Sequence, residues 1–208
     1  MRSVVHFIQL LAAILATFYY FKYKHTPLKL FIYYLWYVVI HSIASYLLLQ
    51  KGVIYYELSN IYGLITSIFV IWCCTCYVVT VRDKRMNYIL LAMTLILHFI
   101  MIITRGLAEP WVTAKIIAPI LGLVSLSIYL FSLFQKKTII SPFKELFTYF
   151  LLGFFLFFVS SPIILFSRIT FGEDNPLLGP WLQQIHGIVV ILMYLIFSFG
   201  FIWSKKKS

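Results

Sequence analysis

The chain has 208 residues, of which 62% are hydrophobic, 19% aromatic and only 11% charged, with a formal net charge of +11 at pH 7. Soluble domains carry charge on about a quarter of their residues, so this composition excludes an ordinary soluble fold and points to the bilayer. The basic excess does not indicate nucleic-acid binding, because Lys and Arg sit in the short segments between apolar runs, where their simpler role is to set orientation.

Seven runs contain no Asp, Glu, Lys or Arg: 3–21, 30–50, 58–81, 86–104, 116–135, 146–167 and 181–203. A helix of about 20 mostly apolar residues covers the hydrocarbon core, so the expected fold is all-α, a polytopic membrane protein forming one seven-transmembrane-helix bundle over 1–208. The first run follows Arg2 but is longer than the apolar region of a signal peptide, with no small-x-small site before Lys22, and is expected to stay as a helix. Thr26 and Pro27 open the second span and Ser141 and Pro142 precede the sixth, with Pro tolerated in a first turn. Pro110 with Trp111 starts the fifth, and Pro180 with Trp181 the seventh. These Trp residues, with Tyr55, Tyr56 and Trp203, are expected at the headgroup levels. Pro119 and Pro162 fall inside spans five and six as candidate hinges, each freeing a carbonyl, with Ser160 and Ser161 placed to re-satisfy the backbone at Pro162. Cys73, Cys74 and Cys76 read as small buried filler, since neighbours on a helix point about 100° apart and do not form a metal clamp. Connections of roughly a dozen residues at most leave no room for an attached soluble domain.

The basic residues then orient the bundle. Lys22, Lys24, Lys29, Arg82, Lys84, Arg85, Lys136, Lys137, Lys144, Lys205, Lys206 and Lys207 fall on one side, twelve against five: Arg2, Lys51, Arg105, Lys115 and Arg168. Lys and Arg in short loops are retained in the cytoplasm, so the N-terminus is expected outside and the C-terminus inside.

Polar side chains inside the spans carry the functional signal, because hydrocarbon tolerates them only when they face the bundle interior. With the orientation above, His6, Gln9, His41, Glu57, Asn60, His98, Lys115, Gln183, Gln184 and His186 all lie in the outer half, and the inner half is almost purely apolar. Helical spacing aligns Tyr34, Tyr37, His41 and Ser45 on span two, and Glu57, Asn60, Leu64, Ser67 and Cys74 on span three. It also aligns Asn87, Thr94, His98 and Met101 on span four, and Gln183, His186, Val190 and Tyr194 on span seven. Converging stripes predict an outward-facing polar pocket built from His41, Glu57, Asn60, His98, Gln183 and His186. Each residue also has a plainer reading: a packing histidine bonded across helices, a histidine solvated at the interface, or, for Glu57, a carboxylate favoured at a helix N-terminus.

Four histidines and a glutamate also have the composition of a zinc site. Seven-helix hydrolases of the ceramidase and adiponectin-receptor type combine intramembrane histidines with a carboxylate; here the last span holds only His186 and no Asp lies in any span. No metal, cofactor or catalytic residue is therefore assigned, and a zinc-dependent lipid hydrolase stays as an alternative. A retinal pigment lacks its mid-membrane Lys on the last span, and a transporter lacks visible inverted repeats. The stretches KYKHTPLKLFIYYLWY (22–37), Asn60-Ile61-Tyr62 and IFSFGFIWSKKK (196–207) resemble a group of uncharacterised membrane proteins of Bacteroidota. That group is often encoded near sensor histidine kinases, and the resemblance implies a bacterial inner-membrane location and a signalling role without supplying catalytic residues. The resulting expectation is a sensory or regulatory membrane protein that titrates or binds a ligand at the outer pocket and signals to a separate protein. Its expected partners are the lipid bilayer, including anionic lipid, a signalling or effector protein and a second copy of the chain, without nucleic acid. The further alternative is an accessory or effector protein of a defence or stress operon.

Overall fold

The computed structural model describes residues 2–52, 56–135, 145–171 and 178–205. Every regular element among them is helical: α1 Arg2–Phe18, α2 Phe31–Gln50, α3 Tyr56–Tyr77, α4 Val81–Arg105, α5 Val112–Gln135, α6 Leu146–Phe171 and α7 Leu178–Trp203, with 3-10 turns at Tyr20–Lys22 and Pro27–Leu30. Among the described residues six helices, α2 through α7, are long and apolar enough to cross a membrane. This is the architecture of a multi-pass helical membrane protein. Helix α1, with 17 residues, extends about 25 Å at 1.5 Å per residue, short of a hydrocarbon core of about 30 Å. It is shorter than the apolar run 3–21 because the chain leaves the α-helix at Tyr19 and tightens into the 3-10 turn ending at Lys22.

Two other boundaries differ from the pattern of apolar runs. Helix α3 ends at Tyr77 and α4 begins at Val81, so the break falls inside an uncharged stretch. Its cause is a cap: Thr80 adopts an extended conformation and its side chain accepts from the Asp83 N–H, which starts a new helix five residues before the apolar run at 86. Arg82, Lys84 and Arg85 therefore lie in the first turns of α4 and not in a loop. The other end of α4 is closed by Gly106, whose φ of 67° suits glycine and whose N–H bonds to the Ile102 carbonyl. Helices α5 and α6 run unbroken through Pro119 and Pro162. Ser160 donates to the carbonyls of Leu156 and Phe157, not to that of Phe158, the group Pro162 leaves without a donor. Ser141 and Pro142 lie outside the described residues, as do Tyr55, Glu173 and Asp174.

The chain divides into two compact units, Met1–Val39 with Ile139–Ser208, and Ile40–Thr138. In the first, α1 and α6 both pack on α7. Its core is aromatic: Phe31 meets Phe150 at 5.1 Å, Phe197 at 5.0 Å and Phe201 at 5.6 Å between ring centres, and Phe154 meets Phe150 at 4.8 Å and Phe197 at 5.2 Å. Most of these pairs are edge-on or tilted, the arrangement that aromatic quadrupoles favour. Helices α6 and α7 approach closely because each offers a glycine to the other's ring. A Cβ at Gly153 would overlap Phe197 Cε1, and one at Gly200 would sit 2.5 Å from Tyr149 Cβ. On α1, Ala12, Ala13 and Ala16 are fully buried, giving that helix a flat packing face.

Lys22 closes this unit. Its ammonium donates to the carbonyls of Phe201, Ile202 and Ser204 at 2.8–2.9 Å and lies 4.4 Å from the centre of the Tyr19 ring. The last carbonyls of a helix have no intrahelical donor, and their negative dipole end favours a cation, so one lysine caps α7. Beside it, Tyr23 is buried against Phe201 and its hydroxyl donates to the Ala16 carbonyl. Burial lowers the Lys22 pKa; burial, then the neighbouring Tyr20, raises that of Tyr23.

In the second unit α3, α4 and α5 pack on one another, and their shared core is lined by small and polar side chains. Asn60, Ser67 and Cys74 on α3, Asn87, Thr94 and His98 on α4, and Ala114, Ala118, Ser125 and Ser132 on α5 are all buried. With hydrocarbon outside, helices gain little from burying apolar surface against each other. Close backbone approach over small residues and interhelical hydrogen bonds replace that gain.

Candidate functional site

The polar stripes read on α3 and α4 do face inward, and at one end of the second unit they meet. Asn60, in the second turn of α3 and 2% exposed, sends its amide N–H groups to the carbonyls of Leu107 at 3.0 Å and Glu109 at 2.8 Å. Its oxygen accepts from the Trp111 N–H at 3.2 Å. One side chain thus satisfies three backbone groups of the connection between α4 and α5. The same connection is fastened by Trp111, whose indole N–H donates to the Gly106 carbonyl at 2.7 Å. Trp111 is 1% exposed, so it is not the interfacial anchor that its place after Pro110 implied. Trp181 and Trp203, by contrast, are largely exposed.

His98 packs edge-on against Trp111, ring centres 5.9 Å apart, and donates from Nδ1 to the Thr94 carbonyl at 2.7 Å. That bond fixes the tautomer: in the neutral ring Nε2 is the acceptor. His98 also lines an open groove of about 410 Å³ whose other walls are Leu64 of α3 and Leu95, Ile96, Phe99 and Ile102 of α4. The groove is apolar apart from the imidazole, and Leu95, Ile96, Phe99 and Ile102 are exposed on the helix surface. In a membrane-spanning helix such a surface meets acyl chains.

The remaining candidates occupy different surroundings. His41 donates from Nε2 to the Leu58 carbonyl at 3.0 Å and stacks on Tyr62 at 4.8 Å, fastening the end of α2 to the first turns of α3. Glu57 is half-buried in the first turn of α3, where a carboxylate is electrostatically favoured. Lys115 donates to Ser59 at 2.9 Å. Arg105 and Glu109 pair at 3.4 Å, both well exposed, an arrangement worth little. On α7 of the other unit, His186 is half-buried and leans on Phe157 at 5.8 Å, whereas Gln183 is exposed. Among the described residues no three His, Cys, Asp or Glu side chains group as metal ligands, so the zinc alternative finds no ligand set here.

At the opposite end of α3–α5 the core is not apolar. The Ser125 hydroxyl donates to Asn87 Oδ1 at 2.9 Å, and Cys74 is buried beside Ser125. Weighing ionisable groups alone missed this layer; the seven-residue spacing of Ala118, Ser125 and Ser132 on α5 was the available signal. No protein-family model, curated protein or solved structure matches the chain.

Proposed function

We propose that this is a sensory or regulatory membrane protein whose responsive element is the α3–α5 unit, and that its ligand is apolar and arrives from the bilayer. The observation that carries this reading is the place of His98. The imidazole stands in the wall of an apolar groove and touches Trp111, which belongs to the connection held by Asn60. An acyl chain or bilayer-dissolved molecule in the groove would press on His98 and shift the balance between a clamped and a released connection. A ligand acts only through such a difference in affinity for two states. The output passes to a separate protein. We take α1 as a further crossing, with the N-terminus outside and the C-terminus cytoplasmic, from the twelve-to-five asymmetry of basic residues. A reporter fused after Ser208 is then active only in the cytoplasm; activity outside the membrane reverses the assignment.

The ligand reading is tested in bilayers of phosphatidylethanolamine and phosphatidylglycerol containing a palmitoyl chain with a diazirine. Adducts are expected to concentrate on Leu95, Phe99 and Ile102 over Ile89 and Ile103, and to fall when Ile96→Trp fills the groove. Free palmitate is expected to slow amide exchange across 106–111. Uniform labelling along α4 removes the groove as a site. Groove labelling without a change in exchange leaves a lipid contact that senses nothing.

A further inference from the structure

The layer formed by Asn87, Ser125 and Cys74 belongs to neither the groove nor the clamp, and its hydrogen bonds do not close. All three side chains are 0% exposed. The Ser125 hydroxyl donates to Asn87 Oδ1, and Cys74 lies beside Ser125. That bond uses the Asn87 oxygen and leaves its amide nitrogen. That nitrogen is buried and has no hydrogen-bond partner among the described residues. Within helices the backbone carbonyls already serve their own ladder, and an amide donor left without an acceptor in an apolar core is costly enough that such groups are nearly always paired.

We infer that Asn87 holds a bound water in the core of α3, α4 and α5, with Ser125 and Cys74 completing its polar surroundings. The occupant is identified by chemistry. As placed, Asn87 needs an acceptor; with its oxygen and nitrogen exchanged, it would need a donor. Water serves in either case, while a halide serves only the first and a metal cation only the second. Buried waters of this kind characteristically satisfy otherwise unpaired polar groups. The inference is independent of the ligand reading, since Asn87 lies in the second turn of α4 and His98 three turns further along it.

Adjacent cysteines supply the test. Cys73 and Cys74 are both fully buried, but their side chains leave the helix about 100° apart, and only Cys74 belongs to the layer. Brief X-ray irradiation of the full chain in nanodiscs makes hydroxyl radicals from bound as well as bulk water, and mass spectrometry then locates oxidised thiols. Cys74 is expected to be oxidised several-fold faster than Cys73, with ¹⁸O incorporated when the sample is equilibrated in H₂¹⁸O. Asn87→Leu is expected to bring Cys74 down to the rate of Cys73. Equal protection of the two thiols in the wild-type protein overturns the inference, and that comparison does not depend on the variant folding. Oxidation of Cys74 that persists in a folded Asn87→Leu protein overturns it as well.

Discussion

The two units are held together in different ways. Around α6 and α7, rings interlock over glycines, and Phe31, Phe150, Phe154, Phe197 and Phe201 share one cluster. Around α3, α4 and α5, buried Asn, Ser, Thr, Cys, Ala and His stand among Val70, Ile71, Leu90, Leu126 and Tyr129. The first kind of core is specified by shape, and a ring has no second place to go at the density of a protein interior. The second is specified by hydrogen bonds, which can change partner over a small displacement. An element that must respond to something is better built in the second way, and it is there that the sequence-derived candidates Asn60 and His98 come together.

The largest expected effect tests the shape-specified core. Gly200→Ala places a Cβ against Tyr149 Cβ, close to the neighbouring backbone, and should cost about 3 kcal/mol, the upper end of overpacking penalties. Gly153→Ala meets only the edge of the Phe197 ring, so it should cost less and be partly rescued by Phe197→Leu, whereas Gly200→Ala should not be. Thermal unfolding in detergent measures both, and equal costs would show that glycine contact is not what sets the α6–α7 distance.

Next comes the hydrogen-bonded core. Asn60→Ala leaves two carbonyls and one N–H of the α4–α5 connection without their partner, a loss of about 2 kcal/mol. It should also shift Trp111 emission to the red in a chain retaining that tryptophan alone. Asn60→Leu, apolar but of similar size, should restore neither property. An unshifted emission would mean that Trp111 is held by Gly106 and His98 without help from Asn60.

The smallest effect is a pH dependence confined to the first unit. Burial raises the Tyr23 pKa above its ordinary 10.0, so the folded state keeps a proton that the unfolded state releases. The stabilisation is complete below about pH 10 and is lost as pH rises toward the folded value. Lys22 works with the opposite sign: burial lowers its pKa from 10.5, so its desolvation cost is relieved as pH rises. Because Tyr23 is the more deeply buried of the two, the unfolding midpoint should fall above about pH 10 in the wild-type protein and stay level or rise in Tyr23→Phe. An identical alkaline decline in both would place its origin elsewhere.

The spans were legible because a bilayer imposes length and apolarity on any helix that crosses it. Six survive as long apolar helices, and the stripe Asn60, Ser67, Cys74 faces inward as its seven-residue spacing implied. Helix ends were less legible: the α3–α4 break depends on whether Thr80 turns its hydroxyl to the Asp83 N–H, which no run of apolar residues encodes. The place of His98 toward the Arg105 end of α4 was readable, but its neighbours were not, since contact with Trp111 depends on how the α4–α5 connection folds back. Trp111 looked like a headgroup anchor for the same reason. The structural use of Lys22 was hidden beneath the topogenic one expected of it, because its three acceptors lie about 180 positions away in sequence.

That separation bears on how the protein is made. The first unit is assembled from the opening 39 residues and from residues after Ile139, while everything between them builds the second. A ribosome therefore delivers all of α3, α4 and α5 before the carbonyls that receive Lys22 exist. During that interval Lys22 lacks the acceptors that hold it in the finished fold, and α1 lacks α7, its permanent neighbour. Domains fold as units during synthesis, so the hydrogen-bonded unit is the nascent chain's first finished product and the aromatic one its last.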